Sequence, residues 1–307
     1  MFPVIPANSV IAPSGNEGIF GFGNLSGNTD TVSLTNLVSN AGVVATDTVG
    51  VGTTRGYLAA CGYGDDKGIF GFGRDNDLNL VSITNLVSNT GVVASDQAAT
   101  TGTARIYSAA CTYGGDKGIF GFGKTGTYVS MTNLVSNTGV VASDVTGVGT
   151  DRRGPGACEY GGDKGIFGFG GTASAMDYTN LVSNAGVVAS DGSGVGSARH
   201  GLTACGYGED KGIFGFGIVS HPNPVSMTNL VSNVGVMASD VTGVGTARSW
   251  PAACTYGDDK GIFGFGYIHI TGSVSITNLV SNAGVMASDQ AATTGSTRYA
   301  LAACSFS

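Results

Sequence analysis

The 307-residue sequence predicts an all-β fold, a six-bladed β-propeller with four antiparallel strands per blade. Three observations predict it: a near-verbatim repeat, four short apolar runs in each copy, and chain ends that break the repeat out of phase. Gly-Ile-Phe-Gly-Phe-Gly begins at Gly18, Gly68, Gly118, Gly165, Gly212 and Gly261. Thr-Asn-Leu-Val-Ser-Asn follows at Thr35, Thr84, Thr132, Thr179, Thr228 and Thr277. An Arg then precedes a Cys by six positions, from Arg55/Cys61 through Arg105/Cys111, Arg152/Cys158, Arg199/Cys205 and Arg248/Cys254 to Arg298/Cys304. These are six copies with a period of 47 to 50 residues. No 3.6-residue pattern persists for three turns, so helical solenoids are excluded.

Within one copy the strands are expected at Ile106–Cys111, Gly118–Phe122, Val129–Val135 and Gly139–Ser143. Each is rich in β-branched or aromatic residues and bounded by Gly, Asn and Asp turn chemistry. The runs are apolar at successive positions, as sheets covered on both faces require. The first copy lacks an Arg-to-Cys run before Gly18, whereas the chain stops just after such a run at Cys304. The last strand is therefore expected to complete the first blade and remove the open edges of the ring. Residues 14–307 read as one domain. Residues 1–13 carry three Pro and lie outside the repeat, either as an N-terminal arm or as a segment laid along the closing blade.

The arrangement resembles the kelch-type β-propellers. The likeness is carried by an Arg before a small-residue strand (Arg105 to Ala109-Ala110-Cys111), a turn, and a hydrophobic strand ending in glycine (Lys117 to Gly123). What that resemblance implies is the β-propeller itself.

Composition excludes several function classes. The net charge of −7 and the even spread of 14 Lys and Arg argue against nucleic acid. No run of 18 apolar residues exists, so no membrane insertion is expected. Met1 to Pro6 has neither a charged n-region nor an h-region, so no classical signal peptide is expected.

Differences among the six copies cluster in two places. One is the triplet after each Arg, such as Ser249-Trp250-Pro251; the other is the loop after each Gly-Phe-Gly. In an up-and-down blade both belong to one face, with the triplets around the channel mouth, while the near-constant turns occupy the opposite face. All three His, the sole Trp and four of the seven Pro fall in these segments. Aromatic and Arg side chains supply recognition energy at interfaces. The candidate ligand-binding residues are Tyr57, Arg74, Ile106, Tyr107, Lys124, Tyr128, Arg153, His200, His221, Asn223, Trp250, Tyr267, His269 and Tyr299.

Other chemistry is weaker. The six Cys are repeat-equivalent and read as small buried residues in a ring. No C-x-x-C spacing marks a metal site. The six Arg read as structural ties between adjacent blades, bonded to backbone carbonyls or to the Asp of Ala-Ser-Asp. His200 and His221 belong to one blade but lack a third ligand. The Gly-x-Gly runs sit on strands, so they are not phosphate loops, and no catalytic triad or carboxylate pair can be assembled. The expectation is a non-catalytic recognition module without metal or cofactor. Its expected partner is a glycan or cell-surface receptor, and its expected setting a phage or virus fibre or decoration protein, in a virion or extracellular. A structural virion component or protein–protein scaffold is the alternative.

Overall fold

A computed structural model describes residues 17–27, 29–98, 101–291 and 295–306. The expected arm at 1–13 lies outside them. The chain is all-β, with 22 strands in small antiparallel sheets and no helix among the described residues. Six sheets have three strands each. Sheet 1 combines Ala302–Phe306, Glu17–Gly21 and Thr35–Val38; sheet 2 has Ala59–Tyr63, Lys67–Gly71 and Thr84–Val87. Sheet 3 has Ala109–Tyr113, Lys117–Lys124 and Tyr128–Val135; sheet 4 has Gly156–Tyr160, Lys164–Gly168 and Thr179–Val182. Sheet 5 has Thr203–Tyr207, Lys211–Gly215 and Thr228–Val231; sheet 6 has Ala252–Tyr256, Lys260–Gly264 and Thr277–Val280. Two small hairpins, Ile218–Ser220 with Asn223–Pro224 and Tyr267–Ile268 with Gly272–Ser273, decorate sheets 5 and 6.

The final strand pairs with the first, Phe306 opposite Glu17 and Ala302 opposite Gly21, in the register by which Tyr63 meets Lys67 in sheet 2. First strands of sheets 1 to 6 lie side by side in order, and the sixth lies beside the first.

Two expected strands differ. The first strand of sheet 3 begins at Ala109 and not Ile106, because Tyr107 adopts φ 60° and breaks the extended backbone. The fourth run is reduced to single bridges such as Val135–Val141 and Thr132–Val145. Its ladder is interrupted by a side chain: Asn133 Nδ2 donates to the Ala142 carbonyl at 3.0 Å and to Asp144 at 2.9 Å. An amide inserted there bends the edge segment away, which leaves the sheet without a flat, open edge.

Packing between sheets explains the repeated motif. In Gly-Ile-Phe-Gly-Phe-Gly the first two glycines face opposite neighbours. A Cβ on Gly18 would meet Cys254 Sγ of sheet 6 at 2.5 Å, and one on Gly21 would meet the Phe70 ring of sheet 2 at 2.7 Å. Cys and Phe thus fill the space that missing side chains leave. Full burial of each such Phe contributes about 1.5–3 kcal/mol, and the first Phe of every copy is completely buried. All six Cys are buried and free; burial pushes the Cys205 and Cys304 thiols up to about 12.

The six repeat-equivalent Arg are fully buried. Arg55 donates from Nε to Phe72 O (2.9 Å), from Nη1 to Thr53 O (3.2 Å) and from Nη2 to Asn85 Oδ1 (2.6 Å), with Asp96 at 3.8 Å. All of these belong to sheet 2 or the segment entering it. The tie to the neighbour is therefore not the expected hydrogen bond: the guanidinium lies 4.2 Å from the ring centroid of Phe22 in sheet 1. Phe22 in turn meets Phe70 edge-on at 5.2 Å.

Candidate functional site

The variable triplets begin as the sequence leads one to expect, paired with the variable loops. Asn24 bridges Tyr299, Gly56 bridges Arg74, Ile106 bridges Lys124, Arg153 bridges Gly171, His200 bridges Ile218 and Ser249 bridges Tyr267. The next residue of each triplet turns inward. Tyr57 N–H donates to Ala300 O, Tyr107 to Tyr57, Gly154 to Tyr107, Gly201 to Gly154, Trp250 to Gly201 and Ala300 to Trp250, at 2.7–3.0 Å. These six bonds form a closed circle. All six residues are left-handed, with φ between 51° and 62°. Such a conformation is costly for Tyr, Trp or Ala, on the order of 1 kcal/mol or more each, and the circle of hydrogen bonds is what holds it.

Side chains from this circle and from the loops beside it make an aromatic plate. Tyr57 meets Tyr107 at 4.6 Å, Trp250 at 5.7 Å and Tyr299 at 6.1 Å between ring centroids; Tyr107 meets Trp250 at 4.9 Å. Tyr267 joins through Tyr299 at 5.1 Å. Trp250 lies across the two glycines of the circle, since a Cβ on Gly154 or Gly201 would approach its ring to 2.9 Å. Where two copies lack a side chain, the largest side chain of a third covers the gap.

A hollow of about 360 Å³ adjoins the plate, lined by Trp250, Tyr267, Tyr299, His221, His269 and Pro222, among others. The candidate residues divide by accessibility. Tyr57, Ile106 and Tyr299 are 7–8% exposed and support the plate from beneath; Tyr299 Oη donates to Gly27 O at 2.8 Å. Tyr107, Trp250 and Tyr267 are half-buried and present part of their rings, while His221, His269 and Asn223 are exposed. Asn223 donates to Ser220 Oγ within its hairpin at 3.3 Å. Lys124 lies over Tyr128 at 5.6 Å, one sheet away from the hollow's lining.

Cations and histidines complete the surroundings. Arg74 sits over Tyr57 at 5.2 Å and Arg153 over Tyr107 at 5.4 Å. His221 meets His269 of the neighbouring loop at 5.1 Å, and His200 meets Trp250 at 6.2 Å. Burial, with the nearby charges of Arg153 and His221, lowers the His200 imidazole to about 4, so it is neutral at pH 7. Among the described residues no group of three or more His, Cys, Asp or Glu could hold a metal ion.

Sequence reasoning missed a second concavity at the other end of the first strands. It measures about 280 Å³ and its lining includes Glu159, Thr112, Thr255 and Ser305, with Asp65, Glu209 and Asp258 on the turns. Glu159 occupies the position filled by Gly62, Thr112, Gly206, Thr255 and Ser305 in the other sheets, so comparing the copies inside the strand could have found it. Its carboxylate accepts a hydrogen bond from Thr112, and burial raises its pKa. The chain matches no protein-family model and no curated protein.

Proposed function

We propose that the six sheets are the blades of a closed six-bladed β-propeller of kelch-like pattern, and that it acts as a non-catalytic recognition module. Its ligand is a saccharide, free or on a cell-surface receptor, bound at the aromatic plate and the adjoining hollow. The single observation that carries this reading is the gathering of the molecule's diversity at one place. Half-exposed Trp250, Tyr107 and Tyr267 converge there with exposed His221 and His269 on a frame that is otherwise repeated. Flat aromatic faces stack on the C–H faces of sugar rings, and imidazole and hydroxyl groups serve the sugar hydroxyls. A fibre or decoration protein of a phage or virus is the setting that fits such a module. Profiling the purified chain on a broad glycan array tests it, beside a variant with Tyr107, Trp250 and Tyr267 changed to Ala. Sugar-selective binding by the parent and none by an equally folded variant is the expected result; a blank array for the parent sinks it.

A second reading, a structural scaffold, draws on the opposite face. Val43, Val92, Val140, Val187, Val236 and Val285, one per sheet on equivalent turns, are 63–66% exposed. A ring of repeated apolar groups suits a partner that repeats as well.

A further inference from the structure

The cations of the chain can be assigned almost completely to the repeated frame. Six Arg are buried in their sheets, each with an Asp within 4 Å, and five Lys are paired with the Asp that precedes them. The remaining three of the 14 Lys and Arg are Arg74, Lys124 and Arg153. All three lie in the variable segments, and two of them lie directly over rings of the aromatic plate. Resting on the saccharide reading above, we infer that the preferred ligand is an acidic saccharide, whose carboxylate or sulfate is held at Arg153 beside Tyr107 and Trp250.

The observations converge on Arg153. Its Nε is buried without a hydrogen-bond partner, which in a native site calls for an acceptor. The Tyr107 ring lies under its guanidinium, and His200, neutral at pH 7, feels its charge. A guanidinium seated over an aromatic ring can make a two-point contact with a planar carboxylate or a sulfate. Three carboxylates of the same face have hydrogen-bond donors of their own. Asp30 accepts from Ser26 Oγ and Asp75 from Asn79 N within their own loops, and Asp151 accepts from Ser130 Oγ of sheet 3; Asp77 and Asp177 are the other carboxylates of the variable loops. Among the described residues, the lining of the hollow on the Trp250 side of the plate contains no Asp or Glu. On a chain of net charge −7, Arg74 and Arg153 place positive charge over the rings of the plate, where an anion gains attraction.

The experiment measures binding of matched neutral, sialylated, uronic-acid and sulfated oligosaccharides at low and high salt. The proteins are the parent, Arg153→Gln, Arg153→Lys and Trp250→Ala, each first shown to melt cooperatively. The acidic member of each pair should bind the parent at least about tenfold more tightly, with the advantage shrinking at high salt. Arg153→Gln should erase the advantage, Arg153→Lys should restore part of it, and Trp250→Ala should lose binding of neutral and acidic members alike. Equal binding of neutral and acidic members overturns the acidic preference but leaves saccharide recognition standing. Binding to no oligosaccharide at all overturns both.

Discussion

Replacing Arg248 by Met tests the frame on which the proposed recognition face is built. Met keeps the stem and its packing and removes only the guanidinium. That group donates to Phe265 O (2.7 Å), Thr246 O (3.2 Å) and Asn278 Oδ1 (2.7 Å), and lies 3.9 Å from the Phe216 ring centroid of the preceding sheet. Its removal leaves buried acceptors without donors, at about 1–3 kcal/mol each. It also strands Asp289, 3.9 Å from Nη1, without its cation. Burial and desolvation of the Arg offset part of this, since burial lowers the guanidinium to about 10 even beside Asp289. Breaking a buried pair of this kind costs about 3–5 kcal/mol, which for a chain of this size lowers Tm by on the order of 10 °C. Arg248→Lys should recover only part, because one ammonium cannot serve three acceptors set as a fork. Calorimetry of the two variants against the parent provides the check, with scan rate varied to identify irreversible melting. A loss below about 1 kcal/mol in Arg248→Met would refute the reasoning, because it would mean the network is solvated.

Three further outcomes follow from named contacts. Glu159→Thr should stabilise the fold at neutral pH, and its advantage should fade in acid. The folded carboxyl titrates above its unfolded value of 4.5, so its contribution is intact below that pH and is lost as pH rises through the folded value; a pH-independent difference in Tm contradicts this. The six thiols, buried and mostly un-ionised at neutral pH, should resist a disulfide reagent in the native state and all react once the chain is unfolded, whereas rapid native labelling would place them at an accessible surface. Gly201→Ala should cost about 1–2 kcal/mol and displace the Trp250 ring from its seat, read as a change in tryptophan emission; unchanged emission would show that the ring does not rest on Gly201.

How much of this was legible in the sequence follows from where the repeat speaks. The six sheets, the pairing of Ala302–Phe306 with Glu17–Gly21, and the meeting of triplets with variable loops were all readable, because six copies display the frame and its exceptions together. The fourth run has a β-like pattern, but the Asn133 amide that breaks its ladder sits in a neighbouring strand, so its own residues carry no sign of the break. The triplets were identified as variable, but not that their middle residues turn left-handed and bond into a circle, because Tyr57, Tyr107 and Trp250 carry no glycine-like signal. That is why buried Tyr57, Ile106 and Tyr299 stood beside accessible Tyr107 and Trp250 as equal candidates. The sequence puts His221 with His200 of its own copy, whereas its ring contact is with His269 across the boundary between sheets 5 and 6.

Trp250 is the sole tryptophan, so its fluorescence reports on the plate alone. The most direct test of the recognition account is to follow that emission while acidic and neutral oligosaccharides are titrated into the intact chain. The account predicts a saturable shift whose midpoint agrees with the independently measured affinity and which disappears in the Tyr107→Ala, Tyr267→Ala double variant. Binding that saturates without any change in Trp250 emission would place the ligand elsewhere on the molecule and contradict it.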